Sequence, residues 1–204
     1  MSSVRFKDLT KRVSKLINHF VPKYSPTGDY NERQYDRMRG FRLLVYAEFE
    51  AFIEAIILDK VNQALDDFNE GKRLNNTLLA LVIYTPVKLP GGPISSIKEA
   101  QSKAKKLQTI INEVVITYKN YINKKNNGIG EDDLLKILSP IGIEVESLDE
   151  VLLSDLASYT RLRGEVAHKS AAIGSTIDPK TEVDQVNKIL NQHLKKIDEL
   201  VQKL

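Results

Sequence analysis

The sequence predicts an all-α fold, an antiparallel helical bundle, and three observations carry that prediction. Gly and Pro together supply only 17 of 204 residues, and most of them fall in four clusters, at 22–28, 86–93, 128–142 and 174–179. The stretches between the clusters are long and compatible with helix. Helix start and stop signals stand where several of these stretches open and close. No stretch alternates apolar and polar residues long enough to argue a sheet.

The elements follow in chain order, with helices expected over 4–20, 31–70, 96–125, 131–139, 148–168 and 180–203. The second of these ends in FNEGK, which puts Gly71 where a helix C-terminal glycine belongs. The apolar run LLALVIYTPV, 78–87, is compatible with either a buried helical turn or a strand. The connection 71–95, with its tip PVKLPGGP, reads as an irregular insertion outside the core bundle, between the first long core helix and the next. Capping boxes, Ser96-x-x-Glu99 and Ser147-x-x-Glu150, open two of the later helices. The last opens with Asp178 followed by Pro179 at a first-helical position. Short connections between several helices favour antiparallel neighbours.

One domain spanning 1–204 accommodates all of this. A chain of this length buries roughly 70% of its unfolded surface, so neither a metal nor a disulfide is needed to hold it together. The absence of Cys excludes disulfide frameworks, thiolate zinc sites and a cysteine nucleophile. The opening MSSVRFKDLTKRVSKLINHF carries a charge every few positions and no apolar core of a signal peptide, and no uncharged stretch is long and apolar enough for a membrane span. A cytoplasmic protein is therefore expected. Net charge is only +3 but unevenly spread: residues 1–42 hold ten Lys/Arg against four Asp/Glu, 98–125 seven against two, and 131–155 one against eight. Such segregation either builds a phosphate-attracting surface or cancels on folding.

Two helices each carry one charged side chain on an apolar face. At about 100° per residue, Phe41, Val45, Phe49, Phe52 and Ile56 form one stripe with Glu48 inside it, while Arg39, Arg42, Tyr46, Glu50 and Glu54 gather on the opposite, narrower polar arc. In the 148–168 helix, Leu148, Leu152, Leu156, Tyr159 and Val166 share a face into which Arg163 points, and Arg161 projects away with Glu165. A carboxylate in an apolar stripe must be neutral, paired or lining a cavity, unless the stripe outruns the core and Glu48 reaches solvent at its edge. The opposite charges suggest a Glu48–Arg163 pair. That pair either orients two helices and does nothing else, or holds an arginine at a site.

His168 ends the same helix, where a lone His commonly caps the C-terminus. His19 and His193 stand at no ligand-like spacing from it, so a His-based metal site is not expected. Arg163 and His168 lie five residues apart, about 140° around an unbroken helix. They converge only if the helix loosens between them, where Gly164 stands, or if two chains pool their residues.

The segment RLRGEVAHKS, with its R-x(4)-H from Arg163 to His168 on a late helix, resembles the signature of HEPN domains, a group containing many metal-independent ribonucleases. The helix RLLVYAEFEAFIEAII resembles the acidic first core helix of the RiboL-PSP-type branch of bacterial defence and toxin proteins. Together these matches cover about a third of the chain. The resemblance implies that Arg163 and His168 are the active-site pair and that Glu48 helps orient it. Arg161 satisfies a looser R-x(6)-H spacing. The position after the arginine, polar in many active members, is Gly164 here.

The chemistry implied is endoribonucleolytic and uses no metal or other cofactor. The RNA 2′-OH attacks the adjacent phosphorus while an imidazole, which titrates near neutrality, moves the protons. Arginine offers a planar, two-point positive charge to the phosphorane oxygens. One His and one Arg are few for acid, base and anion stabilisation, so a two-fold homodimer with a composite site is implied. RNA is the expected partner, an antitoxin or a nucleotidyltransferase-like protein a further one, and the setting is a toxin or defence effector. Two rival readings stand beside it: an inactive HEPN module that binds RNA, nucleotide or a partner protein, and a core network in a helical interaction protein.

Overall fold

A computed structural model describes residues 2–71, 74–168 and 176–204, with Val145 as backbone alone. Among the described residues the chain is helical with no strand. Lys169 and Ser170, which end the segment RLRGEVAHKS, and Gly174 of the last Gly/Pro cluster lie outside the described residues.

Helix α1, Val4–Phe20, runs antiparallel along the middle of α2, Glu32–Asn69. Their direction is fixed at both ends. Arg5 bonds Asp59 near the start of α1, and the Phe20 ring lies 3.5 Å from where a Cβ on Gly40 would stand. An Asn31–Gln34 capping box opens α2, and Gly71, at φ +79°, closes it by donating its N–H to Phe68 O.

The run read as helix or strand is helix α3, Asn76–Tyr84, capped by Asn75. Its Leu78, Leu81 and Val82 are buried in the common core, against the 3₁₀ turn Ser139–Ile141 and helix α4, Ile97–Lys125. This corrects the expectation of an insertion over 71–95. The apolar spacing of α3 suits a helix with one face inward, so the irregular part shrinks to the exposed 85–96 connection.

Helix α5, Glu131–Leu138, precedes that 3₁₀ turn, and α6 spans Glu150–His168. The cap of α6 is Asp149, whose Oδ1 accepts from Leu152 N at 2.7 Å, rather than Ser147. Asp wins because it also reaches Lys196 Nζ at 2.8 Å, while Ser147 closes its own turn onto Glu144 O. In the other box, Ser96 accepts from Glu99 N as expected, but the Glu99 carboxylate reaches Ser95 instead of returning to Ser96.

The C-terminal helix comprises α7, Pro179–Lys188, a π-helical segment, Ile189–Leu194, and α8, Lys195–Lys203, with Asp178 capping Thr181 N at 2.8 Å. It lies antiparallel to α6, as the contacts Asp149–Lys196, Asp155–Lys188 and Asp155–His193 record. Helix α2 is the axis of the molecule. Its Met38, Phe41, Val45, Tyr46, Phe49, Ile53, Ile57 and Val61 are wholly buried, which places core on more than one side of it. No helix among the described residues is long and apolar enough to cross a membrane.

Candidate active site

The polar arc of α2 builds the site. Arg42, Tyr46, Glu50 and Glu54 recur every four residues and so form one line along the helix. That line faces α6, the loop before α5, and the start of α7, buried at Arg42 and Tyr46 and half-buried at Glu50 and Glu54.

At its base lies a buried ion pair. Arg42 donates from Nε to Glu182 Oε1 at 2.9 Å and from a terminal nitrogen to the other oxygen, and Tyr159 OH donates to Glu182 Oε1 at 3.2 Å. Arg42 is 6% exposed and Glu182 2%, so every charge here needs the partner it has. The Tyr159 phenol is held protonated by burial and by the Glu182 carboxylate. Three helices, α2, α6 and α7, are thereby fixed to one another.

One turn further along α2, Tyr46 is wholly buried. Its hydroxyl accepts from Ile129 N at 3.0 Å and lies 3.3 Å from Thr160 Oγ1 on α6. The loop comes close at Gly128: a Cβ there would stand 2.5 Å from Asp133 Oδ2 and 3.2 Å from the Tyr46 oxygen, so those side chains would have to shift. Over the other part of the Tyr46 ring lies the Arg163 guanidinium, 4.8 Å from the centroid. A helical arginine points back toward the N-terminus of its helix, which brings Arg163 down to this level of α6. The contact is a cation–π interaction on a fixed platform.

The carboxylate that shares this environment is Glu50. Burial raises its pKa, the neighbouring Glu54 and Asp133 push the same way, and the Arg163 charge opposes them. Glu54 is itself held by Asn126 Nδ2 at 2.7 Å.

Glu48 is elsewhere. Its carboxylate accepts from Arg12 Nε at 2.8 Å, on the side of α2 that faces α1, with the Glu48 side chain 32% exposed. The expected Glu48–Arg163 pair is therefore corrected twice: Glu48 bonds Arg12, and Arg163 meets Tyr46 and the field of Glu50. The physical reason is that α2 is surrounded. When a central helix buries both an apolar stripe and a polar arc, the acid on the stripe's edge and the acid facing α6 exchange the roles that a one-sided helix would give them. The spacing of four across Arg42, Tyr46 and Glu50 was the available signal.

On α6, Arg161 lies on the outer side and pairs with Glu165 at 2.8 Å, as its projection predicts. Helix α6 stays α-helical from Glu150 to His168, so Arg163 and His168 remain about 140° apart around it, with His168 exposed at its end. Loosening at Gly164 does not bring them together within one chain. Among the described residues, no group of three or more His, Asp and Glu side chains is arranged to hold a metal ion.

A search of curated proteins and a search of solved structures returned no match to the chain. A family model described as RiboL-PSP-HEPN matches residues 6–203. That match reaches from the first turn of α1 to the last turn of α8 and so includes α2, the loop before α5, and α6 with its Arg163 and His168. Membership of this kind points to a nuclease-like or RNA-binding module, and the chain belongs to the RiboL-PSP-HEPN family.

Proposed function

We propose that the protein is a metal-independent endoribonuclease whose site is shared between two copies of the chain, with Arg163 and His168 as its reacting groups. The observation that carries the reading is the setting of Arg163: a guanidinium braced on the buried Tyr46 ring beside Glu50, on the helix that ends in the exposed His168. A fixed cation of this kind stabilises charge that develops on phosphorane oxygens without first having to order itself.

In the reaction, the 2′-oxygen forms a bond to phosphorus as its proton passes to one imidazole, and the bond from phosphorus to the 5′-oxygen breaks as that oxygen takes a proton from a second. The products are a 2′,3′-cyclic phosphate and a 5′-OH. Two imidazoles require two chains, and the wide separation of Arg163 and His168 around an unbroken α6 favours the same conclusion. Such an activity suits a toxin or defence effector whose restraint comes from an antitoxin.

The test is cleavage of single-stranded and structured RNA in EDTA, with DNA of the same sequence as control, alongside light scattering. Cleavage of RNA alone, a particle of twice 23.1 kDa, and loss of roughly a hundred-fold or more in His168→Ala are expected. Arg163→Lys does not restore activity, because an ammonium lacks the planar two-point contact. Cleavage that persists in His168→Ala refutes the assignment.

A second reading, an inactive module that binds RNA, nucleotide or a nucleotidyltransferase-like partner, is favoured by Gly164. A Cβ there would meet nothing within 4 Å, so the position next to Arg163 has room for a polar side chain and carries none. RNA binding without cleavage in the same assay selects this reading.

A further inference from the structure

Between the end of α1, the 21–31 connection and the first turns of α7 lies a cleft of about 520 Å³, lined by Val21, Tyr24, Tyr30, Pro179, Lys180 and Asp184 among others. Its size and mostly apolar wall, with a few polar groups, are those of a small-ligand site. We propose that this cleft holds one nucleobase of a single-stranded RNA substrate; the proposal rests on the ribonuclease reading.

Three features of the cleft favour a nucleobase. First, its aromatic rings are of two kinds. Tyr30 is fixed in place: its hydroxyl accepts from Ser25 N at 3.1 Å and its ring meets Tyr35 edge to face at 5.9 Å. Tyr24, by contrast, is 69% exposed, a ring with most of its surface bare in the wall of a cleft. One anchored ring and one uncovered ring suit a flat, aromatic guest, which gains from stacking on any ring it meets. Second, the exposed Lys180 stands in the wall and supplies a cation for the phosphate that accompanies a base. Asp184 beside it offers an acceptor for an exocyclic amino group, so adenine or cytosine is favoured over uracil.

Third, the cleft sits at the end of the bundle that carries the candidate active site. Helix α1 ends beside the start of α2, where Phe20 meets Gly40. The Arg42–Glu182–Tyr159 cluster ties the start of α7 to that same part of α2 and to the middle of α6. The cleft and α6 are thus joined through α7, which lines the one and bonds the other.

The experiment measures binding apart from cutting. Fluorescence anisotropy in EDTA with the full chain carrying His168→Ala, against labelled oligoadenylate, oligocytidylate and oligouridylate, reads binding without cutting, and substitutions in the cleft isolate its share. Tyr24→Ala is expected to weaken oligoadenylate binding roughly five- to a hundred-fold, the range of one lost stack, while Tyr24→Phe keeps it. Asp184→Asn narrows the difference between oligoadenylate and oligouridylate, and Lys180→Glu weakens binding of all three. Tyr24 and Lys180 are exposed, so these variants test binding, not folding. Equal affinities in the parent and Tyr24→Ala, or no RNA binding by the parent, overturn the proposal. Wild-type cleavage is assayed separately: Tyr24-dependent binding without any cleavage sinks the ribonuclease reading and leaves the cleft, whereas His168-dependent cleavage indifferent to Tyr24→Ala sinks the cleft and leaves the ribonuclease.

Discussion

The Arg163 guanidinium lies 4.8 Å from the centroid of the Tyr46 ring, whose hydroxyl at its far end accepts the Ile129 N–H. One residue thus does two separable things, and two substitutions separate them. Tyr46→Phe keeps the platform but leaves the buried Ile129 N–H without its acceptor, at a cost of about 1–3 kcal/mol in stability. Tyr46→Leu removes the ring as well. Urea denaturation should place both variants below the wild type, and RNA cleavage per folded molecule should survive in Tyr46→Phe and fall in Tyr46→Leu. Equal cleavage in the two would show that the platform does not matter.

Among the described residues Arg42 and Glu182 form a buried ion pair, and the pair at Glu48 is a half-exposed contact with Arg12. Glu182→Gln strips a charge from an arginine that has no water to replace it, which costs about 3–5 kcal/mol when a buried pair is broken. Glu48→Gln disturbs a surface contact worth about 0.2–1 kcal/mol. Urea midpoints of the two variants measure the difference directly. A larger loss in Glu48→Gln would contradict the order of burial.

Helix positions were legible in the sequence because caps, glycines and prolines are local: Asp178–Pro179, Gly71 and Ser96 do in the structure what their chemistry predicts. The pairing of Arg161 with Glu165 was legible for the same reason, being one turn apart on one helix. The partners of Glu48 and Arg42 were not. Periodicity gives the direction of a side chain around its own helix, but which helix stands there depends on packing that no single helix encodes. Helix α2 is the clearest case, since its polar arc reads as a solvated face and is instead the face that holds Arg42, Tyr46 and Glu50. Tyr24 and Lys180, more than 150 positions apart, line one cleft because the 21–31 connection lies beside the start of α7.

Glu50 carries a cost that a functional residue would explain. Its carboxyl pKa is raised, first by burial and then by Glu54, with Arg163 pulling the other way. A carboxyl with a raised folded pKa binds its proton more tightly when folded, so its contribution to stability is lost as pH rises from the ordinary glutamate value through the folded one. Above the folded value the full penalty is present. Glu50→Gln is therefore expected to raise the urea midpoint above that window, to flatten the stability profile across it, and to lower RNA cleavage by loosening Arg163. Arg163→Met should push the Glu50 pKa higher still, read by carboxyl-carbon NMR. A Glu50 titration indifferent to Arg163→Met would separate the two residues.

Gly164 sits inside α6 with an ordinary helical backbone, outside the set of glycines with positive φ, and a Cβ added to it would meet nothing within 4 Å. Nothing steric calls for glycine there, and a helix interior loses roughly 0.5–1 kcal/mol by having it instead of alanine. Gly164→Ala should therefore raise the thermal midpoint and leave RNA cleavage and RNA binding alone. Gly164→Asn adds a donor and an acceptor one residue from Arg163 at little change in helix propensity, so it is the informative partner. If the site is a ribonuclease lacking one hydrogen-bonding group, Gly164→Asn cleaves faster than Gly164→Ala in EDTA, and the gain disappears on adding His168→Ala. If all three chains bind RNA and none cuts it, the missing group was not what kept the module silent, and the binding reading replaces the ribonuclease.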